Sequence, residues 1–160
     1  MDASYKDDPA TTRSTTGYLI QYHGNTIAWR SKIQGTLARS TGQAEYIAVC
    51  EATEDILFIG RLIQETLQLN DVFPILLHKD STVCITQCER VTTQGKLKFM
   101  DKKYLEKQTL FEEGLLEVTK IDTENQLADI LTKPLPPEKF CKLRTLIMHQ
   151  NSTNAKKKNK

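Results

Sequence analysis

The stretch STGQAEYIAVCEATEDILFIGRLIQE, from Ser40 to Glu65, constrains the fold more than any other part of the chain. Val49, Ala52, Ile56, Ile59 and Ile63 recur at alternating three- and four-residue steps. Such spacing predicts one amphipathic helix whose apolar stripe lies against a core. Ser40 and Gln43 form an S-x-x-Q capping box at its start, and the pattern runs to about Leu69. Four residues before Val49, at the head of the same stripe, stands Glu45. A carboxylate on an inward face needs a reason.

The flanking segments supply partners for this helix. Thr16–His23 alternates as a strand, with Tyr18, Ile20 and Tyr22 on one side. Gly24-Asn25 reads as the turn to a hairpin strand over Thr26–Arg30. Pro74–Asp80 holds the run Ile75, Leu76 and Leu77, of the kind buried on both faces of a parallel sheet. A short helix follows from about Ser81 to Cys88. A helical pattern then passes through Leu97, Met100, Tyr104, Leu105 and Leu110 to Gly114. Leu115–Ile121 reads as a strand. Thr123 with Gln126 makes a second capping box, opening a helix that Pro134, Pro136 and Pro137 stop; Glu138–His149 is a last helix. Strands interleaved with helices predict an α/β domain, a mixed sheet with helices packed on it.

Size and composition agree with one folded domain. The chain has 160 residues, 39% apolar and 26% charged, which does not suit wholesale disorder. We expect a domain over residues 1–150 and a basic, disordered tail over 151–160, ending in KKKNK. A net charge of +2 means that any nucleic-acid surface must be local. Cys50, Cys84, Cys88 and Cys141 make no disulfide framework and, with no matching histidine spacing, no zinc site; reduced structural thiols are expected. No apolar run reaches membrane-spanning length and no targeting signal is seen, so the expectation is an intracellular protein of the cytoplasm or nucleus, with no membrane partner.

Asp2, Glu45, Asp80 and Asp129 stand where burial is expected, with no basic partner evident beside them. Singly each has an ordinary explanation. Glu45 could favour the helix N-terminus, Asp80 could cap the next helix, Asp129 could face solvent and Asp2 could fray. Gathered, they read differently. Two carboxylates about 4 Å apart repel by roughly 4 kcal/mol at an effective dielectric near 20. A cluster of four would persist if divalent cations neutralised it. Hard oxygen ligands select Mg²⁺ or Mn²⁺, and two such ions suit phosphodiester hydrolysis.

The segments MDASYKDDPATTRSTTGYLIQ, IAWRSKIQGTLARSTGQAEYIAVCEA, HKDSTVCI and QLADILTKPLP, in this order, resemble the ribonuclease H domain of Copia-type LTR retrotransposon Pol polyproteins. R-S-T-T-G-Y, S-T-G-Q-A-E-Y and L-A-D-I-L-T-K-P-L-P are the most specific pieces, and the similarity covers about residues 1–147. The resemblance implies a ribonuclease H-like fold, a mixed five-stranded sheet flanked by helices, with the first strand truncated at the N-terminus. It implies an Asp-Glu-Asp-Asp set, here Asp2, Glu45, Asp80 and Asp129, holding two Mg²⁺ or Mn²⁺ ions. The implied substrate is an RNA–DNA hybrid whose RNA strand is cut, leaving a 3′-hydroxyl and a 5′-phosphate. The implied partners are the reverse transcriptase and integrase regions of the parent polyprotein.

Arg13, Arg30, Lys32 and Lys133, with Lys96 and Lys98, are candidates for phosphate contacts or ordinary solvated charges. Tyr18 and Trp29 suit core or cross-strand packing better than base stacking. Ser4 stands where the family commonly has Asp, and Ser81 where it has Asn. The family's two histidines in K-H-I-D-x-x-Y-H are Phe99 and Leu105 here. An alternative reading is therefore a degenerate, weak or inactive remnant that folds or binds nucleic acid without cutting it.

Overall fold

Helix α1 (Thr41–Leu67) organises the fold, and its sequence signals are realised closely. The structure is a computed structural model describing residues 1–89, 107 and 109–149. Ser40 has extended backbone, and its Oγ accepts from the Gln43 N–H at 3.2 Å. The Gln43 side chain reaches back to the Arg39 N–H at 2.8 Å, one residue beyond the Ser40 N–H that a capping box would use. Every residue from Ala44 to Cys50 is buried, so this stretch of α1 is enclosed on all sides. Beyond it the helix is one-sided: Ile56 is buried, whereas Phe58 and Leu62 are exposed.

The strands β1 (Asp2–Ser4), β2 (Thr15–Tyr22) and β3 (Asn25–Ile33) form an antiparallel sheet in the order β1-β2-β3. Tyr22 pairs with Asn25, so the two-residue turn is His23-Gly24, one position earlier than the sequence suggested. Both turn residues have positive φ (49° and 77°), the hairpin geometry that matches strand twist. Helix α1 covers one face of this sheet, burying Tyr18, whose hydroxyl bonds Asp55. Trp29 is 68% exposed and sits opposite Leu19, so its core placement is not realised.

The strands β4 (Ile75–Lys79) and β5 (Leu116–Lys120) form a separate parallel pair. The five strands among the described residues thus lie in two small sheets, three antiparallel and two parallel, rather than in one hydrogen-bonded sheet. The reason is local: β1 has three residues, and its ladder to β2 spans only Asp2↔Gly17 to Ser4↔Thr15. Strand β4 also differs from expectation. Leu77 and Lys79 are buried while Leu76 is 53% exposed, so it is buried on one face. Helix α2 (Thr82–Glu89) follows, with the Cys84 and Cys88 thiols in the core beside that of Cys50. Burial raises the Cys50 thiol to about 12, which suits an inert packing role.

The expected helix after Thr123 is instead two 3₁₀ segments, Thr123–Asn125 and Leu127–Leu131. No capping box forms. Gln126 turns inward, where its Nε2 donates to the Met1 carbonyl at 3.0 Å. Helix α3 (Thr109–Glu112) leads to Gly114, and α4 (Pro137–His149) packs on the second 3₁₀ segment. Most of the 97–110 helical pattern, the motif at 98–105 and the tail lie outside the described residues. Among the described residues, no helix is long and apolar enough to cross a membrane.

One close approach ties the sheet to the 3₁₀ segment. A Cβ at Gly17 would stand 2.5 Å from Thr132 Cγ2 and 2.9 Å from Leu131 Cβ. Gly17→Ala is expected to lower stability by about 1–3 kcal/mol through overpacking, read by urea unfolding. An unchanged midpoint would mean that the segment is not seated on β2.

Candidate metal centre

Each acid reaches the centre by a different route. Asp2 is in β1, fully buried, and pairs with Gly17 across the ladder. Glu45 is in the second turn of α1, 5% exposed. Asp80 directly follows β4 and is half-buried. Ser81 accepts from the Cys84 N–H at 3.3 Å and so caps the next helix itself, which leaves Asp80 available for another role. Carboxylate oxygens of Asp2, Glu45 and Asp80 all lie within 4.8 Å of one another.

Asp129 joins this group indirectly. It is 1% exposed, in the second 3₁₀ segment, so the solvent-facing explanation does not hold. Lys133 Nζ lies 2.9 Å from Asp129 Oδ1 and 3.1 Å from Asp2 Oδ2, bridging the two acids. Lys139 Nζ lies 2.9 Å from Asp129 Oδ2. Both oxygens of Asp129 are therefore engaged by ammonium groups.

The acids do have basic partners, contrary to the sequence reading. Lys79 is fully buried; its ammonium binds Glu45 Oε2 and donates to the Met1 carbonyl at 3.3 Å. Alternation along β4 was the available signal, because Leu77 and Lys79 share the inward face. Thr132 donates its hydroxyl to Asp2 Oδ2. Thr132 and Lys139 lie three and ten residues from Asp129, and Pro134, Pro136 and Pro137 stand between Asp129 and Lys139.

Burial pushes the Glu45 carboxyl up to about 7, with Asp2 and Asp80 adding to the rise and Lys79 opposing it. Burial works against the Lys79 ammonium, but Glu45 outweighs it and holds Lys79 protonated. Lys133 is also raised: its desolvation is overcome by Asp129 and Asp2. The centre is thus an acid cluster with internal cations.

A divalent ion fits the donors present. They are hard carboxylate oxygens from three separate elements. Asp2 Oδ1 is buried with no hydrogen-bond partner among the described residues, an atom that a cation would satisfy. Asp129 fits less simply, because an ion there must displace a lysine.

Among the described residues the other basic candidates lie apart; Lys96 and Lys98 lie outside the described residues. Arg13 and Lys32 are exposed. Arg30 pairs with Asp55 at 3.1 Å. Arg30 and Lys32 line a cavity of about 280 Å³ with Thr16, Tyr18, Glu51 and Lys107.

The chain has relatives among retrotransposon Pol polyproteins. It is 34% identical over 151 residues to the retrovirus-related Pol polyprotein from transposon TNT 1-94 of Nicotiana tabacum, covering 94% of this chain and 11% of that protein. It is 30% identical over 135 residues to the corresponding polyprotein from transposon RE2 of Arabidopsis thaliana, covering 84% of this chain and 9% of the relative. For transposon RE1 of the same plant the identity is 30% over 139 residues, with 87% and 9% covered. The chain therefore spans about a tenth of the length of these relatives. No family model and no solved structure matches it. The homologues of this chain are retrovirus-related Pol polyproteins of Copia-type transposons.

Proposed function

We propose that this chain is a ribonuclease H-like domain that cuts the RNA strand of RNA–DNA hybrids using two Mg²⁺ or Mn²⁺ ions. The observation that carries the reading is the approach of Asp2, Glu45 and Asp80 from three parts of the chain, with Asp2 Oδ1 unpartnered among the described residues. Divalent ions bound there supply Lewis-acid activation of water and stabilisation of the leaving oxygen. The chain's own residues do the positioning. Asp2, Glu45 and Asp80 offer oxygens, with Asp129 in reserve behind Lys133. Lys79 fixes the Glu45 carboxylate, and Thr132 fixes that of Asp2. No side-chain nucleophile is required, and the thiols at Cys50, Cys84 and Cys88 are buried in packing.

Hybrid recognition is through backbone shape and RNA 2′-hydroxyls in the wide minor groove, with Arg13, Arg30 and Lys32 as candidate phosphate contacts. The partner regions are the reverse transcriptase and integrase of the parent polyprotein. In Mg²⁺, a labelled hybrid is expected to be cut on its RNA strand only, while a DNA duplex of the same sequence is not. Equal cutting of both, or cutting that persists in EDTA, would oppose the proposal.

A second reading, a remnant that binds without efficient cleavage, draws support from the two lysines on Asp129. Hybrid binding with no cleavage in Mg²⁺ or Mn²⁺ would select it.

A further inference from the structure

Four carboxylates, Asp2, Glu45, Asp80 and Asp129, face three side-chain ammonium groups, Lys79, Lys133 and Lys139; the Met1 amino group nearby is lowered to about 5 by burial and adds no charge at neutral pH. The centre therefore carries one negative charge in excess when all are ionised. One divalent ion reverses that to one positive charge in excess. A second raises the excess to three within a few ångströms, which is unfavourable in a partly buried site. The lysines are not spread evenly. Lys79 sits on the Glu45 side, while Lys133 bridges the Asp2–Asp129 pair, at 3.1 and 2.9 Å. A cation binding both of those acids would need the space and charge that Lys133 now provides. Among the described residues the Asp2–Glu45–Asp80 side has no such bridge to Asp2: Oδ1 is buried and has no hydrogen-bond partner there, whereas Oδ2 is held by Thr132 and Lys133.

We propose that Lys133 is a built-in cation that blocks a second divalent-ion site between Asp2 and Asp129, so that the protein alone takes one ion, at Asp2, Glu45 and Asp80. The inference rests on the metal-centre reading above and adds an order of filling to it. Lys133 is half-exposed on a side chain that can swing outward, so an incoming phosphate is the chemical group suited to draw it off the acids. Lys133 is here a positioning residue: it acts through Asp2 and Asp129 and not on the reacting atoms.

The test is Mn²⁺ binding to the full chain without nucleic acid, followed by the loss of free-Mn²⁺ electron paramagnetic resonance signal. Wild type is expected to saturate at one ion per chain. Lys133→Met is expected to take two, and Lys133→Gln gives the same reading should the methionine variant fold poorly. Lys133→Arg, which keeps the bridge, is expected to stay at one. Lys139→Met is also expected to stay at one, because Lys133 remains in place. Two ions on wild type, or one on both neutral Lys133 variants, would overturn the role of Lys133 and leave the metal centre intact. No ion on any of these proteins would overturn the metal centre itself, and this inference with it.

Discussion

Asp80→Asn is expected to reduce hybrid cleavage by about 100-fold or more while leaving the protein as stable as before, or more so. The loss corresponds to about 3 kcal/mol of transition-state stabilisation, a plausible cost for one charged ligand. The stability gain has a separate origin. Asp80 lies within 4.8 Å of two other carboxylates, and the asparagine removes that repulsion while keeping shape. At an effective dielectric near 20 the pairwise repulsion is of order 3 kcal/mol, and the partial exposure of Asp80 reduces the net gain to about 1 kcal/mol. Opposite movement of activity and stability is what separates a functional carboxylate from a structural one. Single-turnover cleavage and urea unfolding on the same preparation read both. Equal cleavage by both proteins, or a large fall in stability, would assign Asp80 a structural role.

Lys79→Met is expected to destabilise the fold by about 3–5 kcal/mol, the usual cost of stranding one partner of a buried ion pair. Lys79 is fully buried and Glu45 nearly so, and the methionine leaves the Glu45 carboxylate without its ammonium beside Asp2 and Asp80. The second variant separates charge from packing. Lys79→Met combined with Glu45→Met replaces the pair by apolar groups of similar length and is expected to recover most of the loss. It would also be inactive, since Glu45 is one of the proposed ligands. Urea unfolding of both variants decides the matter. A double variant no more stable than Lys79→Met alone would place the cost in the lost Lys79 contact with the Met1 carbonyl instead.

The parts of the fold set by local chemistry were legible from sequence. The Ser40 cap and the three-and-four spacing of α1 depend on neighbours along the chain, and both appear where expected. The inward aim of Glu45 followed from the same helical phase. Other features depend on distant contacts. Thr123 and Gln126 have the residue types of a capping box, but Gln126 bonds the Met1 carbonyl, 125 residues away in sequence. The Ile75–Leu77 run suggested burial on both faces, yet no described layer covers Leu76. Trp29 alternates as a packed residue would, but α1 takes the face that holds Tyr18. The pairing of Lys79 with Glu45 was hidden for the same reason, whereas Lys133 is only four residues from Asp129. Lys79 is 34 residues from Glu45, and only the fold makes them a pair.

Diffraction from crystals grown with Mn²⁺, collected for its anomalous signal, tests the central claim most directly. The expected result is a peak about 2.1 Å from carboxylate oxygens of Asp2, Glu45 and Asp80, with Asp2 Oδ1 among the ligands. A map with no peak at those three acids, at Mn²⁺ concentrations that label other sites on the protein, would contradict it.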